Sequence, residues 1–169
     1  MKTKQLLFLG GGLLTVLIAF NYKKVASTAT NLFNDMTKPR GIRNNNPGNL
    51  RISSITWLHK IPAAQNTDGA FEQFETFAWG TRALIKNLKA YYDGGLKTIS
   101  QVINKWAPSS ENNTTAYISA VASQSDLDPD TVFDWNQNNL YNISKAIGLH
   151  ENGVDCINPE IFNQAWALL

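Results

Sequence analysis

The chain of 169 residues has a single cysteine, Cys156, which excludes an internal disulfide and a zinc site built on cysteines. The ordinary role of such a residue is that of a small buried apolar group. Histidine is almost as scarce: His59 and His150 are the only two, and neither has a second ligand at metal-binding spacing. No metal and no cofactor is therefore expected. There is no glycine-rich phosphate loop following a strand, no nucleophile-elbow serine motif and no internal repeat. The chain also lacks a strong charge of one sign, with a formal net charge of +2. That small excess sits in the first part of the chain, on Lys2, Lys4, Lys23, Lys24 and Lys38 against Asp35 alone. From Pro39 onward acids slightly outnumber bases, so there is no basic stripe and nucleic acid is not an expected partner. Polar chemistry is left mainly to carboxylates.

What is present begins with an apolar, uncharged run over residues 6–20, flanked by lysines and followed by Tyr22. At 1.5 Å per residue a helix there is about 22 Å long, against a hydrocarbon core of roughly 30 Å. Asn21 and Tyr22 would extend it and the lysines would snorkel. The expectation is a single-pass membrane anchor over residues 1–24, with lysines on both sides giving no orientation. A cleaved signal peptide is the rival reading, with residues 26–29 (Ala-Ser-Thr-Ala) as the nearest processing site. Residues 25–38 are small and polar and read as a linker, and residues 39–169 read as one domain.

Within that domain, Arg43-Asn44-Asn45-Asn46-Pro47-Gly48-Asn49-Leu50 is a turn-rich loop, because the residue before proline leaves the helical region and Pro-Gly suits a type II turn. Residues 50–57 and 71–77 read as two short strands. Helical periodicity follows. Leu84, Ile85, Leu88, Tyr91 and Tyr92 mark one helix ended by Gly94-Gly95, and Ile99, Val102, Ile103 and Trp106 mark a second, capped by Thr98. Tyr117, Ile118 and Val121 mark a third, capped by Asn112 or Asn113, and Leu140, Ile143 and Ile147 a fourth ending near Gly153. Asn158-Pro159-Glu160 opens a fifth with a cap, a proline at the first helical position and an acid in the first turn. The expected class is α+β, dominated by helices.

Among the carboxylates, Glu151 stands at the C-terminal end of a predicted helix in Leu149-His150-Glu151-Asn152-Gly153. The negative end of the helix dipole and apolar neighbours both disfavour its ionised form, as a general acid at neutral pH requires. The alternative is a solvated last-turn glutamate before a glycine cap.

The segment from Arg40 to Arg51 (Arg-Gly-Ile-Arg-Asn-Asn-Asn-Pro-Gly-Asn-Leu-Arg) resembles the opening signature of a family of phage virion proteins similar to lysozyme-like lytic transglycosylases. Further matches follow in order: Phe71-x-x-Phe74, Gly80-Thr81-Arg82-Ala83-Leu84, Trp106-Ala107-Pro108, Glu111-Asn112-Asn113-Thr114 with Tyr117-Ile118, and His150-Glu151-Asn152-Gly153. The resemblance covers about residues 39–153. It implies a lysozyme-like domain in circularly permuted order, with the catalytic glutamate after the glycan-binding part rather than before it. It further implies a virion-associated enzyme that cleaves the β-1,4 bond between N-acetylmuramic acid and N-acetylglucosamine during phage entry. Peptidoglycan is then the partner, with other virion proteins beside it. The anchor would lie in a virion membrane or the host inner membrane, and the domain would face the cell wall.

Under this resemblance Glu151 is the acid/base, Tyr117 orients the reacting sugar or packs in the core, and Glu111 is the second candidate carboxyl, alternatively a helix-start residue. Arg43, Asn46, Asn49, Trp57 and Phe74 form the glycan side; the two asparagines would bond N-acetyl groups or serve turn geometry. Trp57, Trp79 and Trp106 would stack on sugars or pack internally. A hydrolase would need a further carboxylate, for which Asp68, Glu72 and Glu75 are available, whereas a transglycosylase needs one. The alternatives to a phage enzyme are a non-catalytic, membrane-anchored virion structural protein that keeps a glycan-binding fold, and a wall-remodelling enzyme of host origin.

Overall fold

The structure, a computed structural model, describes residues 37–110 and 113–169. Hydrophobic periodicity builds the domain around its fourth long segment. A one-turn helix α1 (Arg40–Arg43) precedes the asparagine loop. It is followed by α2 (Phe77–Asp93), α3 (Ile99–Trp106), α4 (Thr114–Ser125), α5 (Gln137–Asn152) and α6 (Pro159–Ala167). Leu140, Ile143 and Ile147 of α5 are fully buried. They pack with Leu84, Ile85 and Leu88 of α2, Ile99, Val102 and Ile103 of α3, Tyr117 and Val121 of α4, and Phe162 of α6. Each such aliphatic side chain contributes about 1.5–3 kcal/mol by leaving water.

The helix starts are set by side chains that satisfy the first free amides. Thr76 accepts from the Trp79 amide, Asn113 from Ala116, Asn136 from Asn139 and Asn158 from Ile161. Thr98 and Gln101 form a reciprocal capping box. Gly153, left-handed at φ 68°, stops α5 directly after the His150-Glu151-Asn152 turn.

The expected α+β class is corrected, for there is no sheet among the described residues. Where strands were expected at residues 50–57 and 71–77, the chain makes two isolated antiparallel bridges, Arg51 with Phe71 and Lys60 with Phe74. The second segment ends because Thr76 caps α2, which begins at Phe77. Beside direct bonds from the Ile52 amide to Ala70 and from the Glu72 amide to Leu50, the two segments are held by side-chain amides: Asn46 Nδ2 donates to the Leu50 and Glu72 carbonyls, and Asn45 Nδ2 to that of Phe74. The expected membrane-spanning helix also finds no support. No helix among the described residues is long and apolar enough to cross a membrane, and residues 1–24 lie outside them, as does most of the expected linker.

Two contacts fasten this loop region to the helices. At Gly80 of α2 a Cβ would collide with the Asn45 carbonyl, so only glycine lets the loop lie against the helix. Asp68 ties the region together by accepting from Asn44 Nδ2 at 2.8 Å and from the Phe71 and Ala70 amides, with Arg40 Nε 3.4 Å away. Burial opposes ionisation of Asp68, but the hydrogen bonds from Asn44, Phe71 and Ala70, together with Arg40, outweigh it and lower its pKa.

Gly80→Ala is expected to cost about 1–3 kcal/mol, read as a lower urea midpoint, because helix and loop must separate. For Asp68 the native pKa lies below the unfolded one, so the unfolded chain takes the proton first as pH falls. Its stabilisation is present above about pH 4 and is lost as acidity increases through the native value. Urea midpoints followed from neutral pH into acid should therefore fall less steeply in Asp68→Asn than in the wild type.

Candidate active site

The asparagine loop has the shape it has because Asn45 and Asn49 take left-handed backbone angles, φ 51° and 46°, a conformation asparagine tolerates better than most residues. Asn46 between them is fully buried and spent on the backbone: besides its two donated bonds, its Oδ1 accepts from the Leu50 amide at 3.0 Å. This fold of the loop turns the Asn49 side chain toward the end of α5.

Glu151, half-buried in the last turn of α5, is met there from three directions. Its Oε1 accepts from the Tyr117 hydroxyl of α4 at 2.8 Å and from Trp106 Nε1 of α3 at 3.2 Å. Its Oε2 accepts from Asn49 Nδ2 at 3.0 Å, and the same nitrogen lies 3.3 Å from the Glu151 carbonyl. The carboxyl group opens on a cleft of about 430 Å³ between the loop and α2 and α3. Trp57, Ile55 and Arg51 line it from the loop, Asn87 and Tyr91 from α2, and Trp106 from α3. Aromatic faces with a few directed polar groups are the usual lining of a ligand site.

The structure thus gathers Glu151, Asn49 and Trp57 on the cleft, with Tyr117 reaching Glu151 from the core. It does not gather the rest. Asn46 and Phe74 are buried and, like the exposed Arg43, do not line this cleft. Trp79 stacks on His59 at 4.1 Å instead. Glu111 lies outside the described residues. The three further acids are engaged elsewhere: Asp68 as above, Glu72 with Lys60 Nζ at 3.1 Å and the Ser53 amide, Glu75 with His59 Nδ1 at 2.7 Å. Glu151 is the one carboxylate lining the cleft among the described residues. Sequence reading missed Asn87 and Tyr91 as cleft residues. Their spacing of four on α2 puts them on one face, and that was the only available signal.

Tyr117 is 2% exposed and its ring stacks on His150 at 3.6 Å. Burial first, and then the Glu151 carboxylate beside it, hold the phenol well above the ordinary tyrosine range, so it remains a donor to Glu151 throughout the working pH range. Because the native pKa is raised, the stabilisation is complete below about pH 10 and is lost as pH rises beyond the unfolded value. The wild type should therefore lose more stability than Tyr117→Phe between about pH 9 and about pH 11, measured by thermal unfolding.

No protein-family profile matches the chain. It is 37% identical over 94 residues, 52% of its own length, to Protein P5 of Pseudoalteromonas phage PM2. The chain spans 56% of that relative, and in this part it is similar to a phage protein.

Proposed function

We propose that the chain is a virion-associated lytic transglycosylase that cleaves peptidoglycan, with Glu151 as its acid/base. The observation that carries this reading is a single carboxylate, held by donors from three separate elements, at the edge of an aromatic-lined cleft. The motif resemblance to transglycosylases supports the substrate class, and similarity to a phage protein supports a virion setting with other virion proteins as companions.

In the first step Glu151 gives its proton to the glycosidic oxygen, and the bond from that oxygen to the muramic acid C1 breaks. In the second, the 6-hydroxyl oxygen of the same sugar bonds to C1 and returns a proton to Glu151. The product is a 1,6-anhydro sugar and the carboxyl group is restored. One carboxyl group serves both steps. Hydrolysis with a second carboxylate, as nucleophile or activating water, would need a further acid on the cleft. Tyr117 and Trp106 fix the Glu151 carboxyl plane, and Trp57 and Tyr91 offer ring faces to the sugars.

The second reading is a virion structural module that binds glycan without cleaving it. It is favoured by the same hydrogen bonds, since a carboxylate that joins α3, α4, α5 and the loop also stabilises the fold.

Digestion of purified peptidoglycan by the full chain, with products identified by mass spectrometry, decides between them. Anhydro-muropeptides are expected from the wild type, and Glu151→Gln should lower their yield by roughly a hundredfold or more. Products with free reducing ends would make the protein a hydrolase. Absence of products from a folded wild-type chain would leave the structural module.

A further inference from the structure

Two acceptors beside Glu151 are buried and have no hydrogen bond among the described residues: Asn49 Oδ1 and Asn152 Oδ1. A buried acceptor without a donor is unfavourable. They are also neighbours. A Cβ at Gly41 would stand 3.0 Å from Asn49 Oδ1 and in collision with Asn152 Oδ1 and the Asn46 carbonyl, so both side-chain oxygens lie against the same side of Gly41.

The orientation of Asn152 is fixed, because its Nδ2 donates to the Gly148 carbonyl at 2.8 Å and the Pro47 carbonyl at 2.9 Å. Asn49 Nδ2 donates to Glu151 Oε2 at 3.0 Å and lies 3.3 Å from the Glu151 carbonyl. The shorter of these two bonds suits the carboxylate alone. When Glu151 is protonated, the proton belongs on Oε2, because Oε1 already accepts two hydrogen bonds. Oε2 then carries a hydrogen that faces another donor. The two ends of an amide are nearly the same shape, and a half-turn exchanges donor for acceptor.

We infer that the Asn49 side-chain amide turns over with the protonation state of Glu151. With the carboxylate, Nδ2 donates to Oε2. With the acid, Oδ1 accepts the Oε2 hydrogen and Nδ2 turns toward Asn152 Oδ1, so that both unpaired acceptors gain partners in exchange for the 3.3 Å contact with the Glu151 carbonyl. The only covalent change is the O–H bond on Oε2. The inference rests on the reading of Glu151 as the acid/base, and it makes Asn49 a positioning residue that supports both of its states.

Other charged or titrating groups near the pair are few. Tyr117 from α4 stays protonated, Trp106 from α3 does not titrate, and Arg51 lines the same cleft from the loop. His150 stacks on Tyr117. Cys156 lies 3.8 Å from Asn152 Nδ2, and burial, then Asp155, push its thiol up to about 11. Glu111 lies outside the described residues.

The test is a pH titration by nuclear magnetic resonance of the full chain, labelled with ¹⁵N-asparagine and ¹³C-glutamate. The Asn49 amide signal is identified by its loss in Asn49→Asp, which tolerates the same backbone angle, or by through-bond assignment should that variant not fold. The Asn49 amide and the Glu151 carboxyl carbon should move with one shared midpoint, and amide exchange with water should slow on the acid side. His150→Gln should leave this response in place. Glu151→Gln, whose own amide donates toward Asn49, should abolish it at every pH. An Asn49 signal that stays still while Glu151 titrates, or that still titrates in Glu151→Gln, overturns the inference. Wall digestion run in parallel separates the two levels. A coupled response in an inactive chain removes only the acid/base reading, and an active chain with a still Asn49 removes only the amide switch.

Discussion

The site depends on one docking event, the seating of the loop after α1 on the last turn of α5. Its anchor is the hydrogen bond from Asn152 Nδ2 to the Pro47 carbonyl, across 105 residues of sequence. Asn152 sits next to Glu151, so the residue that holds the loop and the residue that faces the cleft share one helical turn. If the loop lifts, Asn49 leaves Glu151 and the cleft loses the wall that carries Arg51, Ile55 and Trp57. The buried Asn152 amide would keep only its bond to the Gly148 carbonyl and lose the one to Pro47, which opposes that motion.

A loop without a sheet needs another source of rigidity. Here the source is side-chain amides and carboxylates that act as backbone partners. Asn44, Asn45 and Asn46 bind Asp68, the Phe74 carbonyl, and the Leu50 and Glu72 carbonyls respectively. The Asn45 and Asn46 amides take up backbone carbonyls beside the direct bonds from the Ile52 amide to Ala70 and from the Glu72 amide to Leu50, while Asn44 binds a side chain. Glu72, buried at 2% exposure, is matched by Lys60 Nζ and the Ser53 amide. Removing one partner of such a buried pair is far more damaging than the pair is stabilising, so the region tolerates little change.

The helices were legible because period and punctuation agree. Thr98, Asn113 and Asn158 sit where caps must, and Gly153 ends α5 where the apolar pattern stops. The strands were misread for a definite reason. Phe71, Phe74 and Phe77 look like one extended run, but Phe74 faces the small Leu50–Ala83 cluster while Phe77 already belongs to α2. Nothing local in the sequence shows that asparagine amides will take up the backbone groups of this stretch. For the site, Glu151, Tyr117 and Asn49 could be named from motif and helix position. Their mutual contacts could not, since Asn49 and Glu151 lie 102 residues apart and Trp106 and Glu151 lie 45 apart. Nor could the sequence say which acids are already engaged, because Asp68 and Glu72 find their partners through the fold of the loop.

The position of Glu151 at a helix end matters for geometry as well as for charge. In the middle of a helix its own carbonyl would be bonded to the amide four residues on. In the last turn that carbonyl has no helical partner, while the neighbouring Leu149 carbonyl takes the Gly153 amide that closes the helix. Asn49 Nδ2 can therefore approach the Glu151 carbonyl and Oε2 together, at 3.3 and 3.0 Å, and grip both ends of the residue. A glutamate one turn earlier would offer only its side chain and would be free to swing. Ending α5 at Gly153 thus fixes where the carboxyl group points, with Tyr117 and Trp106 on Oε1 and Asn49 on Oε2.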